Sequence, residues 1–396
     1  MSRFRLYPAP EQVAVLESHC GHARFVWNLA VEQQSWWTPR RGPAPNYNEQ
    51  SRQLTEARRE FPWLAEGSQT VQQQALRDFA QAMANYFRGS HRKPTLRKRG
   101  RSEGFRNVAV KPSDIRTVNR RWSEVKVPKA GWVRFRRLRT VPDAKSYRVT
   151  GDRAGRWHVA FAAIPEPIDA SGTGETVGVD RGVAVSAALS TGELPSCPGL
   201  RPAEAGRLLR LQRRRAKAKR GGNRRGRLTA QIARVKAREA DRRKDWVEKT
   251  NTGLARRFDL IRVEDLKVKN MTRSARGTVE APGRNVRQKA GLNRAILANG
   301  WGLLVQRLED KAPGRVEKIP AAYTSQCCSV CGHVAAESRE SQARFACVAC
   351  GYEDNADVNA ARNIAAGHAV TAWGGVGLPK PVNREPQLTA PPPVAA

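Results

Sequence analysis

Acidic residues are scarce in this 396-residue sequence: 36 Asp and Glu stand against 71 Lys and Arg, giving a formal charge of +35. Compact domains with that excess repel themselves, so the imbalance implies a polyanionic partner, either nucleic acid or an anionic membrane. No apolar run is long enough to span a bilayer and no signal peptide is read, which sets membrane functions aside. There is no internal repeat. Cysteine is also sparse. Of seven, four fall in two CxxC pairs, and Cys20, Cys197 and Cys327 are left over. A secreted disulfide protein would spread them more evenly, so paired CxxC indicates a reducing compartment and zinc. What is abundant is Arg, which suits phosphate forks and equally fits a GC-rich coding sequence. The basic residues run along the whole chain, interleaved with Trp36, Trp37, Trp122, Trp132 and Trp157. That pattern favours nucleic acid.

The chain is long enough for two or three domains. Residues 1–8 predict a strand entering a helix, on which Val13, Leu16, Cys20, Ala23 and Trp27 recur near helical spacing. After a Pro-rich loop (36–47), a second helix is expected over 48–59. Ser68 N-caps a third, with Leu76, Phe79, Met83 and Tyr86 on one face. The segment 88–106 is basic and poor in apolar residues. Phosphate contact by Arg92, Lys93, Arg97, Lys98 and Arg99 is favoured over a solvated linker. Short β-type runs follow at 124–127, 132–136, 147–150 and 157–161, the last two flanking a hairpin loop, and suggest a small barrel.

Beyond a Pro/Gly/Ser linker (165–175) the pattern becomes strand, hairpin, helix, strand, helix. Strands are expected at 176–179, 183–189 and 260–263. A helical hairpin over 207–244, broken at Gly221-Gly222, carries 17 Lys or Arg against Glu239 and Asp241. Arg213, Arg214, Arg215, Arg224 and Arg225 of this hairpin are further candidates for phosphate contact. One amphipathic helix is expected over 291–311. The Pro/Gly-rich end, 369–396, is expected to be disordered.

Cys328-Ser-Val-Cys331-Gly and Cys347-Val-Ala-Cys350-Gly are separated by 15 residues. Each CxxC makes a tight turn whose N–H groups face the sulfurs. Two of them form a closed, tetrahedral Cys₄ zinc site of structural type. Cys327 is out of register, and His333 would serve only if a turn failed. Three acids form the second pattern: Asp180 ends the first strand, Glu264 ends a later one, and Asp357 opens the final helix. Acids at strand ends face the crevice where ligands bind in open α/β sheets. Three such carboxylates can hold two Mg²⁺ or Mn²⁺ ions about 3.5–4 Å apart, in the RNase H arrangement. Asp354 competes for the third place, with capping or a surface charge as its ordinary role. Asp265 competes with Glu264, but strand alternation points it the other way.

At this point the sequence resembles the TnpB (OrfB) proteins of bacterial insertion sequences, relatives of the type V CRISPR effectors. The matching segments are Tyr7-Pro-Ala-Pro-Glu-Gln12, Gly21-His-Ala-Arg-Phe-Val-Trp-Asn28, Gly178-Val-Asp-Arg-Gly182, Val263-Glu-Asp-Leu266, Tyr323-Thr-Ser-Gln326 with its CxxCG, and Asn355-Ala-Asp-Val-Asn-Ala-Ala-Arg-Asn-Ile364. They run in the family's order over nearly the whole chain. The resemblance implies an α/β multidomain fold: a wedge β-barrel (first strand 1–10, remainder 108–168), an inserted helical recognition domain (11–107), a RuvC-like nuclease domain (172–324, last helix 354–368) and an inserted zinc ribbon (325–353). It implies an RNA-guided DNA endonuclease with Asp180, Glu264 and Asp357 as catalytic Mg²⁺ ligands and Cys328, Cys331, Cys347 and Cys350 on zinc. Its partners would be a guide RNA from the transposon end and a target DNA. The protein would be a bacterial, cytoplasmic, nucleoid-associated monomer. Arg181 departs from the family, which usually has an uncharged residue there, and so does Cys327, where Thr or Arg is common. Neither removes a ligand. Trp36, Trp37, Trp63 and Tyr86 are candidates for stacking on bases, with core packing expected for most of them. The rival functions are a guide-dependent DNA-binding repressor, a strand-joining transposase and a structural zinc-ribbon protein.

Overall fold

The computed structural model of the chain describes residues 2–38, 40, 42–100 and 103–367. The tail expected to be disordered lies outside the described residues. The chain divides into two compact units, Met1–Pro165 with Gly206–Ala237, and Glu166–Ala205 with Arg238–Ala396.

In the first unit, β1 (Ser2–Tyr7) leads into α1 (Pro10–Trp36), followed by α2 (Tyr47–Glu60), α3 (Pro62–Ala65) and α4 (Gln69–Phe87). Strands β2 (Gly104–Val108), β3 (Ile115–Asn119), β4 (Trp122–Val127), β5 (Gly131–Arg136), β6 (Ser146–Gly151) and β7 (Trp157–Phe161) complete it. They form one antiparallel sheet in the order β2-β6-β7-β1-β5-β4-β3. β1 sits mid-sheet, with Leu6 opposite Trp157 on one side and Phe135 on the other. The helices are therefore an insertion between the first strand and the rest. Period-two alternation buries Phe4 and Leu6 and exposes Arg3 and Tyr7. On α1, Leu16, Cys20, Ala23, Trp27 and Ala30 are buried at three- and four-residue steps, and the Trp27 ring meets Phe79 of α4 edge-on at 5.5 Å. The Ser68 hydroxyl caps α4, accepting from the Val71 N–H.

Two expectations change here. No pairing joins β2 to β3 among the described residues, so the sheet is described as open rather than as a closed barrel. The second is the boundary at 107 of the helical span; the basic segment before it, 88–106, is anchored on α1. Trp27 Nε1 donates to Thr95 O, the Asn28 side chain bonds both backbone groups of Arg97, and the Arg97 guanidinium lies 3.6 Å above the Trp27 ring. Its last residues enter β2, which pairs with β6 from Gly104 onward, inside the span assigned to the helical domain. Five residues with one buried side chain, Phe105, carry too little alternation to announce a strand.

The second unit holds β8 (Thr176–Asp180) and β9 (Ala188–Leu189). Helices α5 (Pro202–Lys217) and α6 (Asn223–Arg257) follow, sharing their residues between the units, and then β10 (Leu260–Glu264), α7 (Val268–Met271), α8 (Val286–Asn299) and α9 (Trp301–Lys311). It ends with β11 (Val316–Ile319), β12 (Arg344–Ala346), β13 (Glu353–Asn355) and α10 (Ala356–Ala366). The main sheet runs β11-β10-β8-β9, with β8, β10 and β11 parallel and β9 antiparallel. Val177, Val179, Ile261 and Val263 are fully buried in one cluster with Val247 and Leu254 of α6 and Leu304 and Leu308 of α9. The opposite face takes α10. A Cβ on Gly178 would lie 1.9 Å from the Ala361 carbonyl oxygen, so only Gly lets the helix backbone come this close.

The α5–α6 hairpin breaks at Gly221, which has positive φ, as expected. Other boundaries differ. Residues 183–187, expected within a strand, do not join a ladder: Val183 O accepts from Asn299 Nδ2, and Ser186 Oγ donates to Asn299 Oδ1. The helix expected over 291–311 is two helices, because Gly300 takes φ +71° between them.

Candidate active site and metal centre

On β8 the alternation that sends Val177 and Val179 into the core turns Gly178 and Asp180 toward α10. On the neighbouring β10, Arg262 stands opposite Gly178 and Val263 opposite Val179. One residue further along each strand come Asp180 and Glu264, side by side at the carboxyl end of the parallel ladder. Arg262 confirms which face this is, since its Nη1 donates to the Ala365 carbonyl of α10. Asp357 enters from the first turn of α10, whose N-cap Asn355 accepts from the N–H groups of Asp357 and Val358.

Asp180 senses the other two carboxylates. Burial, then the charges of Glu264 and Asp357, push the Asp180 carboxyl up to about 8. Burial also raises Asp357, against the opposing charge of Arg339. Among the described residues, the Cys₄ set is the one group of metal-ligating side chains whose ligand atoms all lie within 4.8 Å of one another. The carboxylates are spaced more widely than that.

Three residues not singled out beforehand as part of this site surround the acids. Thr324 Oγ1 donates to Glu264 Oε1 at 2.7 Å. Arg339, between the two CxxC turns, reaches Asp357 Oδ1 at 3.1 Å. Arg181, noted above only as a departure, is buried. Its Nη2 donates to the Glu264 carbonyl, and its Nε has no hydrogen-bond partner among the described residues. Thr324 had a sequence signal, since it lies in Tyr323-Thr-Ser-Gln326. Arg339 had none, because the stretch between the turns has no periodicity to read. The two competing acids take ordinary roles. Asp354 accepts from Tyr352 Oη and Arg362, and Asp265 pairs with Lys267.

In the cysteine centre, Cys328 Sγ lies 3.8 Å from Cys350 Sγ and Cys331 Sγ lies 3.6 Å from Cys347 Sγ. Thiolates at tetrahedral corners about 2.3 Å from a zinc ion stand roughly 3.8 Å apart, so the four sulfurs fit that ion. The Cys350 N–H above all pulls the Cys347 thiol down to about 6, which favours the thiolate a metal needs. Cys327 is buried beside the site, its Sγ turned to the carbonyls of Cys328 and Gly332. His333 contributes its backbone carbonyl to the Cys328 N–H. Buried Asn359 and Asn363 join this centre to α10. Asn359 accepts from the Ser329 N–H and donates to Cys327 O, and Asn363 donates to Thr324 O and Cys327 O. The Asn-Ala-Ala-Arg-Asn run thus pairs small residues against the sheet with amides that hold the cysteine turns.

Of the basic candidates, Arg92, Lys93, Lys98, Arg99, Arg213, Arg214, Arg215 and Arg224 are exposed. Arg97 is partly engaged on Trp27, and Arg225 closes the end of α5 by donating to Arg215 O and Ala218 O. The expectation of core packing for most of the four candidate aromatics fails. Trp36, Trp63 and Tyr86 are 59%, 45% and 37% exposed. Trp37 is half-buried and donates to Gly42 O.

Among known proteins, residues 160–275 match the family model described as "Probable transposase" (OrfB_IS605), residues 2–42 its helix-turn-helix domain, and residues 301–364 the "Cas12f1-like, TNB domain". "Putative RNA-guided DNA endonuclease InsQ" of Escherichia coli (strain K12) is 36% identical over 97% of this chain and 96% of its own length. A "Putative RNA-guided DNA endonuclease" of Streptomyces pristinaespiralis is 31% identical over 94% and 90%. The fold resembles that in the "Cryo-EM structure of the Cas12f1-sgRNA-target DNA complex", with TM-score 0.53 and 14% identity over 90% of this chain and 83% of that one. With this identity sustained along nearly its whole length, the chain belongs to the TnpB (OrfB) family.

Proposed function

We propose that the protein is an RNA-guided, divalent-metal-dependent DNA endonuclease encoded by an insertion sequence, cutting DNA beside a short recognised motif. The carrying observation is the gathering of Asp180, Glu264 and Asp357 at one end of one sheet, with Asp180 raised by its two neighbours. Like charges pressed together in a buried place call for a cation. A hard carboxylate set suits Mg²⁺ or Mn²⁺, and carboxylates divided between two ions need not all close on one point. When bound, such ions supply an acidified water and stabilise charge on the leaving oxygen. The chain's own residues do the positioning. Thr324 fixes the Glu264 carboxylate, Arg339 holds Asp357, and the Asn355 cap sets the turn from which Asp357 projects.

In this reading 172–324 with 354–368 is a RuvC-like nuclease domain, and 325–353 is a zinc ribbon that holds α10 in place. The sheet of 104–161 with the first strand is the wedge, and the helices inserted between them recognise nucleic acid. Base pairing with the guide supplies sequence, while exposed arginines on 88–106 and on the α5–α6 hairpin contact backbone. The relatives named as RNA-guided DNA endonucleases, matched over at least 90% of their length, support this assignment. A monomer in the bacterial cytoplasm, associated with the nucleoid, completes it.

The test is to express the chain with its flanking transposon end, sequence the RNA that copurifies, and offer plasmids that match it. Matched DNA is cut only with Mg²⁺ or Mn²⁺ present. Matched DNA that is bound but uncut with every divalent cation would replace this reading with a guide-dependent repressor.

A further inference from the structure

A second, separate charge problem lies at one end of the first unit's sheet. Arg120, Arg121, Arg136, Arg137 and Arg139 line a cavity of about 420 Å³, and its remaining two lining residues are uncharged. The backbone there is fixed. Asn119 Oδ1 accepts from the N–H groups of Arg121 and Trp122, closing the β3–β4 turn, and the Arg137 N–H donates to Arg121 O. This bond continues the ladder one step past the Trp122–Arg136 pair, so Arg121 and Arg137 are held abreast. Two of the side chains are braced from within: Arg136 lies over the Trp122 ring, and Arg139 lies over Phe4 and donates to Arg3 O.

The same strands show what neutralised arginines look like here. Arg116 and Arg134 share Glu124, at 2.7 and 3.1 Å. Among the described residues none of the five cavity guanidiniums has a carboxylate partner. A sphere of that volume is about one Debye length across at physiological salt, so the five charges are not screened from one another. Arg120, Arg121 and Arg139 are exposed and solvated in the free protein, and the mutual repulsion of the five charges favours an anion of matching density. An internal strand brings one charge per about 3.4 Å of axis and carries it past the site. The cavity is built from one turn and one strand end rather than along a groove, and it suits a compact group of several charges. Guanidinium forks match phosphate oxygens in pairs.

We propose that this cavity binds a polyphosphate group, of the kind carried at the 5′ end of a primary RNA transcript. The RNA source rests on the reading above; the anion site does not, and neither readout below involves cutting. The full-length protein is titrated calorimetrically with inorganic tripolyphosphate. An Arg121→Ala/Arg137→Ala variant is compared with an Arg59→Ala/Arg256→Ala variant, which removes the same charge at exposed positions elsewhere. Losing two charge-assisted partners should weaken tripolyphosphate by at least about tenfold in the first variant and leave the second near wild type. In parallel, one short RNA is prepared with a 5′-triphosphate and with a 5′-hydroxyl. The triphosphate form binds several-fold tighter to the wild type, and the preference disappears in the Arg121/Arg137 variant. Equal losses in the two variants, absence of tripolyphosphate binding, or equal affinity for the two RNAs would overturn the proposal. Thermal melting of both variants checks that the sheet is intact.

Discussion

Replacing Asp180 by Asn lowers DNA cutting by at least about a thousandfold, leaves RNA binding unchanged, and makes the metal-free protein more stable at pH 8. The first two effects follow from assigning this carboxylate to metal, and not to contact with the guide. The third follows from its surroundings. Burial and the charges of Glu264 and Asp357 raise the carboxyl to about 8, whereas in the unfolded chain it titrates near 4. Between those values the folded state holds a proton that the unfolded state has released. Stability of the metal-free chain therefore falls as pH rises through that window, and the penalty is absent below about pH 4. Asn carries no charge to penalise. In magnesium-free buffer at pH 8 the variant melts higher than wild type, by at least about 2 °C for a unit of this size, and the gap closes toward pH 4. Added Mg²⁺ then raises the wild-type midpoint and leaves the variant's in place. Retained cutting, or a variant that melts lower at pH 8, would remove Asp180 from the assigned role.

The second large effect concerns zinc. Cys347→Ser takes away one sulfur of a set whose four ligand atoms lie within 4.8 Å of one another. Binding at a structural zinc site is folding free energy, on the order of 10 kcal/mol in isolated zinc modules. The loss does not stay local, because Asn359 and Asn363 tie the backbone of 324–329 to α10. Loosening the cysteine turns thus frees the helix that carries Asp357 and the loop that carries Thr324. Elemental analysis should show zinc falling from one ion per chain toward none, limited proteolysis should open the region after residue 320, and cutting should fall with it. A variant with full zinc content and an unchanged protease pattern would show that these sulfurs are not the ligands.

The parts of the site that could be read from sequence are those set by local rules. An apolar strand that ends in an acid, met twice, and a CxxC-Gly repeated at ribbon spacing each carry their own geometry. Asp180 and Glu264 become neighbours because two parallel strands pair with Arg262 opposite Gly178. Other features depend on partners far along the chain. β11, with two exposed polar residues in four, is a strand because β10 offers it an edge. Residues 183–187 join no ladder: Val183 O accepts from Asn299, and the Ala187 N–H donates to Pro195 O. Gly300 splits a continuous apolar period by its left-handed φ. Arg339 meets Asp357 across 18 residues, through the arrangement of the cysteine turns. Trp36, Trp63 and Tyr86 are exposed although large aromatics usually seek the core.

The most direct measurement is the anomalous scattering of Mn²⁺ soaked into crystals of the full chain. The account predicts difference peaks coordinated jointly by Asp180, Glu264 and Asp357, absent in the Asp180→Asn protein. Mn²⁺ bound by no more than one of the three carboxylates, or an Asp180→Asn crystal with the same peaks, would contradict it.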